Sequence, residues 1–175
     1  LPVKHIDWHL FLEYNNNTII KGEDIVARLR GFEVVSSYLD MDVVLPKRKT
    51  KFSAGYDIHC AEKVLLSPGT TTLVPTGLKA YMLDDEVLKI YIRSSVGVKK
   101  GLRLANGAGI IDADYYNNVD NEGHIFVAIW NPWENKKITL DKGERIAQGI
   151  FSKYLVTDDD DADGIRVGGC GSTGK

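Results

Sequence analysis

The chain has 175 residues and a formal net charge of −2. That length buries one ordinary core and falls short of two, so one domain with tails is expected. The weak net charge gives no electrostatic footprint for a nucleic-acid backbone or an anionic membrane, which leaves a compact anion held by a few placed groups as the charged ligand to look for.

No apolar run is long enough to span a bilayer, and the start carries no basic stretch followed by an apolar one, so a cytoplasmic protein is expected, or a nuclear one in a eukaryote. Cys60 and Cys170 show no CxxC spacing and argue for neither a disulfide scaffold nor a structural zinc site. The histidines, His5, His9, His59 and His124, form no HExxH motif.

The first residue is Leu, so part of the start is expected to lie outside the fold. Residues 1–30 contain a strand candidate, WHLFLEY, then a turn at Asn15, Asn16 and Asn17, and no role follows from them. From Gly31 onward the pattern becomes a series of short segments rich in Val, Ile, Thr, Tyr and Leu. GFEVVSSY, DMDVVL, GYDIHCAEKVLL, TTTLVPTGLKAYM, VLKIYIR, HIFVAIW, KKITL and RIAQGIFSKYLV are the strand candidates. Breakers such as Pro46, Pro68 with Gly69, Pro75 with Gly77 and Lys142 with Gly143 separate them. Many short strands with regular punctuation predict an all-β barrel or sandwich, such as a jelly roll, with little helix. The best short helical candidate is SSVGVKK, where two hydroxyl residues stand ready to cap a turn.

The densest stretch is LANGAGIIDADYYNN, residues 104–118. Strand alternation would put Asp112 and Asp114 on one face. Gly107 and Gly109 would let the backbone turn or approach a ligand, so that a hairpin edged by Asn106 and Tyr115 wraps a small flat molecule. The same residues would also make a surface hairpin with solvated acids. After Val156 the chain is polar and glycine-rich, and such a tail does not order itself without a ligand. Asp159, Asp161, Asp163 and Gly164 open like a calcium loop, but Cys170 stands where a bidentate Glu is needed. Gly169 to Lys175 reads GxxxxGK, yet the Ser or Thr and the helix of a Walker loop do not follow. Its small residues can still expose amides to an anion, with Arg166, Ser172, Thr173 and Lys175 as further donors.

Five stretches, SAGYDI, IRSSVGVKKGL, NGAGIIDADYYN, KGERIAQ and RVGGCGSTG, resemble in order and spacing the five motifs of the trimeric dUTPase family. Leu45, Pro46 and Arg48 resemble its lead-in. The resemblance implies an all-β, distorted jelly-roll barrel, a homotrimer with sites between subunits, and magnesium-dependent hydrolysis of dUTP to dUMP and pyrophosphate, with neither nucleic acid nor membrane as a partner. It divides the chain into an N-terminal extension over 1–30, a barrel over 31–156 and an arm over 157–175 that closes over an active site.

By the same resemblance Asp112 is the general base and Gln148 contacts the phosphates and the attacking water, while Arg145 is structural. Asn106 and Gly109 lie at uracil, and Tyr115 lies under deoxyribose. Arg93, Ser94, Ser95 and Gly97 bind phosphate, joined by Arg166, Ser172 and Thr173 from the arm. Asp57 lies near Mg2+ through water only. Cys170 stands where the family usually has the Phe that closes over uracil, and Asn117 where it commonly has Gly; VDNEGH follows as a polar insertion. Two other readings share these features: a dUTP-binding regulatory protein with weak catalysis, and an enzyme related to dCTP deaminase, whose catalytic Glu has no counterpart here.

Overall fold

In the computed structural model the described residues are 18–21, 24–166 and 168–169. WHLFLEY and the Asn15–Asn17 turn lie outside them, as do Cys170, Ser172, Thr173 and Lys175. Thirteen strands occur among the described residues. β1 (Thr18–Lys21) and β2 (Asp24–Ala27) pair with each other, a pairing the sequence reading missed. β3 (Gly31–Val34), β4 (Tyr56–His59), β5 (Val64–Leu66), β6 (Thr71–Pro75), β7 (Leu78–Tyr81) and β8 (Glu86–Ile92) follow. β9 (Arg103–Leu104), β10 (Gly109–Asp112), β11 (Phe126–Trp130), β12 (Ile138–Leu140) and β13 (Arg145–Lys153) complete the set.

The strands form a four-stranded sheet in the order β10–β8–β13–β4, a three-stranded sheet β6–β11–β9, and the pairs β12–β5 and β3–β7, all antiparallel. The all-β expectation therefore holds. β11 shows the driving pattern: Val127 and Ile129 point into the core while Phe126 and Trp130 face outward. Leu88 and Ile90 of β8, Ile58 of β4 and Leu78 of β7 join the same core. Each such side chain contributes about 1.5–3 kcal/mol by leaving water, so the four-stranded sheet gives the site a stiff frame.

Several expectations need correction. DMDVVL is not a strand: Asp42 takes a positive φ of 49°, and the backbone bond to β4, from Asp57 N–H to Lys47 O at 3.2 Å, comes from two residues beyond the segment. β-Propensity alone does not make a strand without a partner edge. GFEVVSSY is strand only to Val34, then a helical turn over Ser36–Tyr38. GYDIHCAEKVLL and TTTLVPTGLKAYM each break into two strands, because the chain leaves one sheet for another at Cys60–Lys63 and at Thr76–Gly77. SSVGVKK makes a single wide helical turn at Ser95–Lys99, but Ser94 is itself in helical geometry and its side chain caps nothing.

LANGAGIIDADYYNN is not a hairpin. β9 pairs with β11 and β10 pairs with β8, so the segment is a corner between two sheets. Gly107 makes that corner with φ +72° and donates its N–H to Leu104 O. Asp112 ends β10, and Ala113–Tyr115 is a helical turn, so strand alternation does not reach Asp114.

Candidate active site

The expected site residues gather in two groups. In the first, Asp57 on β4 is buried and holds two cations: Arg93 Nη1 lies 3.3 Å from its Oδ1 and Arg145 Nη1 lies 3.1 Å from its Oδ2. Arg145 faces Asp57 because β13 shifts register between Arg145 and Ala147. Without that bulge, residues 145 and 148 would point to opposite faces; with it, both serve the side carrying Asp57. Gln148 is opposite Asp57 in the ladder and lies over Gly55, where an added Cβ would meet its Oε1 at 2.5 Å.

Arg93 follows β8 and is held by its N–H to Ile146 O at 3.2 Å. Its carbonyl accepts from the Val96 and Gly97 amides, which turns the chain and leaves Ser94 and Ser95 exposed. Beside this group Asp57 and His59 share a cavity of about 350 Å³ with Lys47 and Lys49. Burial lowers the His59 pKa.

The second group sits at the other end of β8, where Asp112 is opposite Val87. Arg166 bridges both acids: Nη2 to Asp112 Oδ2 at 2.5 Å and Nε to Asp114 Oδ1 at 2.7 Å. Its guanidinium carbon lies 5.7 Å from the Tyr115 ring centre. Asp84, Ala113 and Tyr154 complete a cavity of about 450 Å³ around Asp112, Asp114 and Arg166. The two carboxylates do act together, through Arg166 rather than through strand alternation. Arg166, expected on phosphate, is here on two carboxylates.

Asn106 is exposed in the corner that precedes β10, three residues before Gly109 and on the Ile90 side of the register. Gly109 has a packing reason of its own: an added Cβ would lie 3.0 Å from Ile90 Cβ on the neighbouring strand. The largest omission of the sequence reading is the architecture of residues 117–123. Asn117 and Glu122 take positive φ of 56° and 61°, and Lys79 Nζ donates to Asn117 Oδ1 at 2.7 Å and Glu122 Oε1 at 2.5 Å. The Lys79 ammonium, followed by the Ser36 hydroxyl and amide, holds the Glu122 carboxyl down at about 2. The signal in the sequence was the polar insertion itself, but its anchors at Lys79 and Ser36 are far away along the chain.

From Asp112 to Arg93 the register runs along six steps of β8 and its extension, roughly 20 Å at about 3.3 Å per residue. Acid and aromatic ring lie at one end, and Asp57, two arginines and an amide at the other.

Comparison with known proteins identifies the family. A family model described as dUTPase matches residues 41–174. The deoxyuridine 5'-triphosphate nucleotidohydrolase of Lactococcus lactis subsp. lactis (strain IL1403) is 52% identical over 149 residues, covering 84% of this chain and 99% of that protein. The enzyme of that name from Enterobacter sp. (strain 638) is 37% identical over 139 residues, covering 75% and 87%. The crystal structure of dUTPase from Streptococcus mutans aligns with a TM-score of 0.69 at 49% identity, covering 73% of this chain and 98% of that one. The chain belongs to the dUTPase family.

Proposed function

We propose that this chain hydrolyses dUTP to dUMP and pyrophosphate, by in-line attack of a water on the α-phosphorus. Asp112 takes one proton from the water as its oxygen bonds to phosphorus, and the bond to the bridging oxygen breaks so that pyrophosphate leaves with the electron pair. A carboxylate suits this because it is ionised near pH 7. The carrying observation is that Asp112 lines a cavity and pairs with the Arg166 guanidinium, which lies 5.7 Å from the Tyr115 ring centre.

Tyr115 is the face against which deoxyribose rests, and Asn106 with the Gly109 backbone reads the uracil edge. Arg93, Ser94, Ser95, Gly97 and Gln148 take the phosphates, joined by Arg166, Ser172 and Thr173 when the arm over 157–175 closes from the barrel of 31–156. Cys170 takes the lid position over the base. Residues 1–30 are an N-terminal extension to which no role is assigned.

Magnesium fits this donor set as a passenger of the triphosphate. Among the described residues no group of three or more His, Cys, Asp or Glu side chains forms a metal cage, and both Asp57 oxygens already face guanidiniums. A bound ion would be held mainly by the triphosphate, with Asp57 near it through water as the family resemblance implies, and it would neutralise charge developing on the leaving pyrophosphate.

Because the two groups lie roughly 20 Å apart along β8, one chain does not bring Asp112 to the phosphate end. That separation supports a site completed between subunits, in a homotrimer as the family resemblance implies. The experiment is pyrophosphate release from dUTP with magnesium. Asp112→Asn is expected to lose about 10²–10⁴-fold in kcat with its melting temperature kept, since it removes a proton acceptor. Full rate in that variant sinks the assignment.

A further inference from the structure

The loop over 117–123 lies beside Tyr115, and its contacts converge there. Asn121 Nδ2 donates to the Tyr115 hydroxyl at 2.8 Å, while that hydroxyl donates to His124 O at 2.9 Å. The loop also holds the backbone of the same residue, with Asn118 Nδ2 donating to Tyr115 O at 2.8 Å. At Gly123 an added Cβ would lie 2.6 Å from that carbonyl oxygen. Tyr115 is thus fixed at its carbonyl and at its hydroxyl tip by one short stretch of chain.

The loop is itself fixed. Glu122 accepts from Lys79 and from the amide and hydroxyl of Ser36, and Asn118 Oδ1 accepts from the amides of Asp120 and Asn121. The arm reaches it too: the Gly169 amide donates to Asp120 Oδ2 at 3.3 Å. A tyrosine ring on a short helical turn is free to swing about two torsions, and a bond to its tip removes that freedom.

We propose that Asn121 is a positioning residue for deoxyribose selection, setting the Tyr115 ring at the depth that leaves no room for a 2′-hydroxyl. This rests on the assignment of Tyr115 to the sugar made above. A ring anchored only by its backbone yields when a ribonucleotide presses on it. One held by Asn121 and His124 does not, so the loop converts a common aromatic contact into a rigid wall.

The side chain of Asn121 allows a clean test. Its Oδ1 accepts from Asn118 Nδ2 at 2.9 Å and from the Gly123 amide at 3.1 Å, and both bonds hold the loop together. Asn121→Asp keeps those acceptors and replaces the N–H aimed at Tyr115 with a carboxylate oxygen, removing the donor and adding a negative charge that acts alike on dUTP and UTP. The measurement is kcat/KM for dUTP and for UTP in wild type, N121D, Y115F and the double variant. N121D is expected to lower the dUTP-over-UTP ratio about three- to tenfold, the worth of one hydrogen bond. In the Y115F background it should change nothing further, because the hydroxyl it acts through is gone.

Proportional changes in dUTP and UTP turnover, or losses that multiply in the double variant, would overturn the inference. Y115A separates the two levels of the reasoning. If it leaves the ratio untouched, the sugar assignment of the ring fails and the role of Asn121 fails with it. If Y115A collapses the ratio while N121D leaves it intact, only Asn121 is refuted.

Discussion

Gly55 offers a way to move Gln148, the side chain proposed to contact the phosphates and the attacking water, without substituting it. An added Cβ there would lie 2.5 Å from Gln148 Oε1, 3.3 Å from its Cδ and 3.2 Å from its Cβ. Ordinary contact begins near 3.4 Å, so Gly55→Ala pushes the amide tip aside by about an ångström, and the stem gives by a few tenths. Gly55 is not in left-handed backbone, so alanine adds no strain of that kind and removes unfolded-state freedom worth about 0.4–1 kcal/mol. An off-rotamer glutamine costs about 0.5–1.5 kcal/mol, so the two nearly cancel and the melting temperature should move by no more than about 5 °C. Activity should not be spared. A side chain that contacts charged phosphate through hydrogen bonds worth about 1.5–3 kcal/mol leaves a deficit of about 10- to 150-fold in kcat/KM when displaced. Pyrophosphate release and a thermal melt, run on G55A, Q148A and the double variant, decide it. G55A should approach Q148A, and the double variant should be no worse than Q148A, since both act on one amide. A G55A enzyme with full rate would falsify the role given to Gln148.

Two further predictions concern stability. Asp57→Asn leaves Arg93 and Arg145 facing each other across a neutral amide; it should cost about 2 kcal/mol, below the 3–5 of a fully buried pair because the arginines are partly solvated, and a urea titration reads it. His124 is buried, accepts the Gly77 amide at Nε2 and has its pKa lowered by burial, against the upward pull of Glu62 and Glu122. The unfolded chain therefore takes the proton first as pH falls: this contribution is complete above about pH 6.5 and is lost below it, so the urea midpoint should drop from pH 7.5 to 5.5, and less steeply in His124→Gln.

The β character of the chain was legible because short apolar runs alternate with Pro and Gly, a local signal. Where strands ended was less so. GYDIHCAEKVLL reads as one strand, yet its backbone serves β13 at one end and β12 at the other. Sheet changes of this kind are set by partners more than 70 residues away, and nothing in the twelve letters encodes them. The acids at 112 and 114 were found by a strand rule that does not apply at 114; they share a side because Arg166 reaches back to both. The bulge that turns Arg145 and Gln148 toward the same carboxylate was invisible for a similar reason, since register belongs to the pair of strands and not to either one.

The distance along β8 carries the last prediction. Val87, opposite Asp112, and Arg93 are six residues apart, so the proposed base and the proposed phosphate-binding arginine of one chain are separated by roughly 20 Å along the strand, beyond what an arginine side chain spans. If subunits complete each other's sites, two dead variants should rescue one another. Asp112→Asn supplies an intact Arg93, and Arg93→Ala supplies an intact Asp112. In oligomers formed from equal amounts, each site draws its base from one subunit and its arginine from another, and both are intact in about a quarter of sites. Co-refolding the two variants should therefore restore about a quarter of the wild-type rate of pyrophosphate release. Oligomers of either variant alone should show none of that recovery, and neither should the two mixed after folding without exchange. A mixture no more active than its parts would mean that Asp112 and Arg93 of the same chain work together.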